Sequence, residues 1–205
     1  MGKRLFILSF IGALFLSACT PLEGLFTPTL TPPPRGVAID PPRQMPDFTL
    51  TDTNNEPLKL SDLRGKAILI YFGYTHCPDV CPLSLADFRQ IKKELADLAN
   101  RVNFVMISVD GTRDTPDVLR LYIQAFDPEF IGLTGSDLEV RQVGINYGVH
   151  FEKQKPAGTA AAYLVAHTSY SYFLDAEGKW QMVFPFKTPP SSVAADIRQF
   201  LIATR

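Results

Sequence analysis

The stretch from Leu69 to Leu85 constrains the fold of this chain more than any other: Leu69-Ile-Tyr-Phe-Gly-Tyr-Thr-His-Cys-Pro-Asp-Val-Cys-Pro-Leu-Ser-Leu85. Leu69 to Phe72 is an aromatic and branched apolar run that predicts a buried strand, and Gly73 marks its exit. Two cysteines, Cys77 and Cys81, follow at i and i+4 before a long helical pattern begins. Proline is tolerated in a first helical turn, costs about 3 kcal/mol in a helix interior, and biases the preceding residue away from helix. Pro82 therefore predicts that the regular helix begins near Pro82, with Cys77 to Cys81 forming the turn before it. Sulfurs at a helix N-terminus meet unpaired N–H groups and a favourable dipole, which lower a thiol pKa. Strand, dithiol turn and helix is the layout of a redox site or a soft-metal site. A purely structural staple is the alternative, but closing so short a loop contributes only about 2 kcal/mol.

Around this unit the chain alternates. Asp47 to Thr51 and Pro57 to Leu60, separated by Asn54-Asn55, predict an N-terminal hairpin. Ala67 to Phe72 is the central strand, and Leu85, Phe88, Ile91, Leu95 and Leu98 recur at helical spacing after the thiol turn. Val102 to Val109 predicts the next buried strand. Thr115-Pro116 opens a helix to about Phe126, and Ser136-Asp-Leu-Glu139 is a capping box for another to about Tyr147. Tyr163 to Val165, Tyr170 to Asp175 and Trp180 to Phe184 are strand-like, with a turn at Ala176 to Lys179. A last helix, capped by Ser191 or Ser192, runs to about Ala203. Strands alternating with helices and ending in a hairpin and helix predict an α/β domain with a mixed central sheet flanked by helices. With a dithiol after the first long strand, that is a thioredoxin-like (peroxiredoxin-like) fold.

The 205 residues suit one domain with extra chain, and 20 basic against 21 acidic residues give no sign of a nucleic-acid partner. The three cysteines are an odd number, and the N-terminus accounts for the third. Lys3-Arg4, an apolar run from Leu5 to Leu16 and small residues before Cys19 predict a signal peptide over 1–18, too short for a spanning helix. Leu16-Ser17-Ala18-Cys19 resembles the lipobox of bacterial lipoproteins, which implies lipidation of Cys19 and leaves Cys77 and Cys81 as the two thiols of an oxidising compartment. Residues 20–46 hold eight of the 17 prolines, so 19–44 reads as a Pro/Thr-rich tether and 45–205 as the folded domain. The expected location is the bacterial cell envelope, membrane-anchored on the extracytoplasmic side.

Two thiolates with a third donor suit Cu(I), and imidazole also accommodates Cu(II). His76 adjoins Cys77, and adjacent residues tend to point apart; His150 carries no motif. His167 lies between strand-like segments, where a thioredoxin-like fold brings a loop to face the dithiol. No Pro or Arg occurs between Pro156 and Pro185, where thioredoxins and peroxiredoxins carry one. Asp110-Gly-Thr-Arg-Asp114 reads as a loop, since it lacks the continuation of a calcium-binding loop. Tyr71 to Pro82, Ser108-Val-Asp110 with Arg113 to Pro116, Ile131 to Gly135, and His167 with Phe173-Leu-Asp175 together resemble the Sco/SenC family from about Met45 to Ala203. The resemblance implies copper, as Cu(I) or Cu(II), on Cys77, Cys81 and His167, with delivery to the Cu-A centre of cytochrome c oxidase subunit II. Other periplasmic copper carriers are the further partners it suggests. Family members often carry an acidic residue before the histidine; here it is Ala166. Asp79, inside the dithiol motif, is expected to lend the site a supporting charge or to meet a docked target. The rival function is that of a thiol–disulfide oxidoreductase, with Cys77 attacking and Cys81 resolving, and a peroxidase is a third reading.

Overall fold

A computed structural model describes residues 35–155 and 163–204. The expected signal segment, Cys19 and the first part of the expected tether, up to residue 34, lie outside them. The central strand is β4 (Ala67–Gly73), and all seven of its residues are buried. Each fully buried Leu, Ile or Phe contributes about 1.5–3 kcal/mol relative to exposure. Such a strand can only be the middle of a sheet covered on both faces. Parallel to it runs β5 (Val102–Ser108), and parallel to that β6 (Ile131–Thr134). On the other side β9 (Ser171–Leu174) and then β10 (Lys179–Phe184) add antiparallel.

The predicted hairpin is present as β2 (Thr49–Asp52) and β3 (Pro57–Lys59), and it extends the far edge through an antiparallel pairing of β2 with β6. The order is β3-β2-β6-β5-β4-β9-β10 and one strand more, β1 (Val37–Gln44). That strand corrects the sequence reading, which placed residues up to 44 in the tether. Val37 and Ala38 pair with Val183 and Met182, and Arg43 and Gln44 with Trp180 and Lys179. The register breaks between the two pairs, where Pro41-Pro42 sits. Proline cannot donate to a ladder and is confined to edges and bulges, so this edge strand accommodates the prolines that disguised it.

Helices α1 (Val80–Leu95) and α4 (Pro190–Ala203) pack against each other on one face of the sheet. There Phe88 meets Tyr71 and Phe104 edge-on, and Phe200 meets Phe173. Because successive strand residues face opposite ways, Phe72 and Tyr172 turn to the other face and pack with Tyr147 and Trp180. Helix α2 (Pro116–Gln124) starts as predicted, with the Thr115 side chain accepting from the Val118 N–H and Pro116 in the first turn. Helix α3 (Asp137–Ile145) has the full Ser136–Glu139 capping box. For α4 the expected serine cap is wrong. Pro189 holds the cap position without a side-chain bond and Pro190 opens the helix, because a proline there loses only an N–H that had no partner. The α/β arrangement is the thioredoxin-like one expected. A separate two-stranded hairpin, β7 (Phe151–Gln154) with β8 (Leu164–His167), stands outside the eight-stranded sheet. Among the described residues no helix is long and apolar enough to cross a membrane.

Candidate metal and thiol site

Three elements meet above the C-terminal end of β4. The loop leaving β4 carries Cys77, the first turn of α1 carries Cys81, and the end of β8 carries His167. Helix α1 begins at Val80, with Asp79 as its cap, two residues earlier than Pro82 predicted. Pro82 is still in the first turn, where its missing N–H removes no helical bond. Cys81 is therefore a helical residue, fully buried, and only the half-buried Cys77 lies in the turn.

Both cysteines are free thiols. The Cys77 sulfur accepts from the backbone N–H of Cys81 at 3.4 Å, and the Cys81 sulfur lies 3.4 Å from His167 Nε2. The donor atoms of Cys77, Cys81 and His167 all lie within 4.8 Å of one another, the only such group of three among the described residues. The carbonyl oxygen of Thr168, 3.1 Å from His167 Nδ1, can only accept. It therefore holds the ring proton on Nδ1 and leaves the Nε2 lone pair facing the sulfurs.

The two thiols are driven apart in acidity. A hydrogen bond from the Cys81 thiol holds Cys77 well below the usual thiol range; burial opposes this, while the backbone N–H groups of Asp79 and Cys81 support it. Cys81 is pushed up by the same bond and by its burial. Of the two, Cys77 is the readier to ionise and Cys81 the readier to keep its proton.

Aromatic rings frame the imidazole: Tyr71 stands edge-on to His167 at 6.1 Å and Tyr74 at 5.8 Å. The Tyr71 hydroxyl is buried without a hydrogen-bond partner, and burial, with the nearby Cys81 sulfur, keeps it protonated. His167 also lines an open groove with Arg141, His150 and Ala166. Asp79 is exposed and its carboxylate makes no capping bond, so what it lends Cys77 is its backbone N–H. His76 is exposed, with Nδ1 on the Thr75 hydroxyl at 2.9 Å, and His150 is exposed too. Sequence reasoning missed Tyr71 and Tyr74 as walls of the site, because an aromatic within or just after an apolar strand reads simply as core.

Gly73 has a specific reason to be glycine. A Cβ there would fall 2.5 Å from the Tyr71 ring and 3.2 Å from the Cys81 sulfur. Gly73→Ala is expected to destabilise by about 1–3 kcal/mol through overpacking and to displace Cys81. A lowered melting temperature together with faster alkylation of Cys81 checks this, and wild-type values of both contradict it.

Two thiolates and an imidazole suit a soft or borderline metal. Bonds of about 2.0–2.3 Å in a trigonal plane space the donors about 3.5–4 Å apart; here Cys81 and His167 lie 3.4 Å apart and all three donors fall within 4.8 Å, so small side-chain shifts bring them onto one ion. Comparison with known proteins agrees. A copper-bound ScoI from Bradyrhizobium japonicum is similar over 77% of this chain and 99% of its own, with 38% identity and a TM-score of 0.68. A copper-bound ScoI from Arabidopsis thaliana gives 29% identity and a TM-score of 0.73, covering 78% of this chain and 98% of that one. The SCO2-like protein of Rickettsia felis is 36% identical over 147 residues, 72% of each chain. The SCO1/SenC family model matches residues 37–202, and the chain belongs to that family.

Proposed function

We propose that the protein is a copper metallochaperone, carrying copper on Cys77, Cys81 and His167 and passing it to the Cu-A centre of cytochrome c oxidase subunit II. The observation that carries this reading is the convergence of two sulfurs and one imidazole nitrogen within 4.8 Å. Copper here is cargo rather than a resident cofactor. The buried Cys81 and the Thr168-oriented His167 supply fixed donors, and the half-buried Cys77 is the donor an incoming site can reach first. Cargo leaves by exchange of one thiolate at a time, so the metal is never without sulfur. Asp79, exposed beside Cys77, is the charge a client surface meets, and other periplasmic copper carriers are the suppliers. Mixing the copper-loaded chain with the reduced, metal-free Cu-A domain tests this. Copper should move with no change in the total thiol count, whereas a loaded chain that keeps its metal overturns the delivery role.

A second reading is favoured by the unequal thiols, a reachable Cys77 thiolate and a buried Cys81. In it Cys77 attacks a client disulfide, releasing one client thiolate. Cys81 gives up its proton, breaks the mixed disulfide and frees the second client thiol, leaving a Cys77–Cys81 disulfide. Two electrons pass to the client, and the oxidised chain needs an external thiol reductant to act again.

Lipidation of Cys19 would hold this domain at the extracytoplasmic face of the bacterial envelope. A SCO1/SenC family protein from Bacillus anthracis, similar in fold to this chain, is described as a lipoprotein. Cys19→Ser is expected to shift the protein from the membrane to the soluble fraction, or to leave it unprocessed. Wild-type protein found wholly soluble and without lipid would remove the anchor from the account.

A further inference from the structure

His167 rides on β7–β8, which is not hydrogen-bonded into the main sheet, and Cys77 rides on the loop that joins β4 to α1. Something other than sheet register must set the distance between them. We infer that the turn Asp110-Gly-Thr-Arg-Asp114 is a yoke that holds both ligand-bearing loops and so fixes how the imidazole faces the two sulfurs. This rests on the copper reading of the site and adds Asp110, Arg113, Asp114 and Tyr163 to it as positioning residues.

The turn is itself rigidly founded. The backbone N–H groups of Arg113 and Asp114 both donate to the Asp110 carbonyl, at 3.0 and 2.9 Å, and the Val109 N–H donates to the Gly73 carbonyl at 2.8 Å. Thr134 Oγ1 donates to the Asp114 carbonyl at 2.8 Å. A Cβ on Gly111 would fall 1.8 Å from the Gly135 carbonyl oxygen, so the turn lies directly on the backbone leaving β6.

One arm reaches the thiol loop. The Asp114 carboxylate is fully buried, and a buried charge persists only where it is hydrogen-bonded. It accepts from the Thr75 N–H at 2.9 Å, the Thr75 hydroxyl at 2.7 Å and the Ser108 hydroxyl at 2.7 Å. His76 Nδ1 lies 3.6 Å away. Thr75 is two residues before Cys77, so this carboxylate pins the loop at its root.

The other arm reaches the histidine hairpin. Tyr163 immediately precedes β8; its hydroxyl donates to Asp110 at 2.7 Å, and its carbonyl accepts from Arg113 Nη1 at 3.1 Å. The Arg113 guanidinium lies 3.7 Å over the Tyr163 ring, with Nε on the fully buried Asp110 at 2.5 Å. It also lies 5.7 Å from the centre of the Tyr74 ring, which in turn stands against His167. Lys153 on β7 adds a bond to Thr112 in the same turn at 3.0 Å. These are charge-assisted and stacked contacts, the kind that orient metal ligands from outside.

The test uses the full-length chain in detergent, reduced, with Arg113→Ala for the hairpin arm and Asp114→Ala for the loop arm. Both are expected to weaken Cu(II) affinity about ten- to hundredfold, the usual effect of removing a group that orients a ligand. The one-to-one Cu(I) stoichiometry, set by the thiolates, should stay. Asp114→Asn, which still accepts from the Thr75 N–H, should recover part of the loss. Tyr163→Phe, which keeps the ring and breaks only the bond to Asp110, should move Cu(II) affinity the same way by less, without change of fold. In the copper-free protein, NMR contacts between the His167 ring and the Tyr71 and Tyr74 rings should weaken in Arg113→Ala. Wild-type Cu(II) affinity and wild-type ring contacts in Arg113→Ala and Tyr163→Phe would overturn the yoke. If the wild-type chain takes up no copper, the copper reading fails, and the ring contacts alone still decide the yoke.

Discussion

Replacing either Cys77 or Cys81 with serine is expected to take Cu(I) binding from one equivalent to none while the fold stands. Soft thiolate selects Cu(I), and a hydroxyl in its place is a hard, protonated and weak donor. One sulfur with His167 leaves the metal a single soft ligand, which a competing chelator removes. The two substitutions differ in their side effects. Cys77 is half-buried and tolerates a hydroxyl. Cys81 is fully enclosed, so its serine costs about 1–3 kcal/mol unless it finds a partner. Equilibrium dialysis against a Cu(I) chelator, with circular dichroism of each variant, reads both effects. Stoichiometric copper in the double variant would place the site elsewhere.

His167→Ala is expected to separate the two oxidation states. Cu(I) stays, because two thiolates suffice, but the Cu(II)–thiolate absorption disappears, because Cu(II) prefers a set that includes nitrogen. Without the imidazole, two Cu(II) ions oxidise the adjacent thiolates to a Cys77–Cys81 disulfide and leave as two Cu(I), which a thiol assay detects. His76→Ala and His150→Ala should change neither property, since neither ring belongs to the group of donors that converges. An unaltered Cu(II) spectrum in His167→Ala would mean that another imidazole is the ligand.

These two expectations differ in how far the sequence alone reaches them. The dithiol end was legible because its signals are local: an apolar run, a glycine exit and a proline that must sit in a first helical turn. Thr115-Pro116 and Ser136 with Glu139 were legible for the same reason, since a cap is written within four residues. Cys81 to His167 is a separation of 86 residues, and no local pattern points from one to the other. Only the thioredoxin-like expectation and the family resemblance bring His167 to the thiols. Strands β6 and β7 have four residues each, too few for alternation to register, and β6 forms by pairing with β5 and the distant β2. The prolines of β1 suggested a tether because composition does not show which side of an edge strand needs its N–H groups. The anchoring of Thr75 by Asp114 was not legible at all: a buried carboxylate and a solvated loop acid are written with the same letter.

The central claim is that this chain holds one copper ion on its two thiols and His167, and anaerobic Cu(I) titration of the reduced, full-length protein tests it most directly. Free thiols are to be counted before and after metal addition. The expected result is uptake that stops at one Cu(I) per chain, with both Cys77 and Cys81 protected from alkylation at that point. A chain that binds no Cu(I) while both thiols stay reduced and reactive would contradict it.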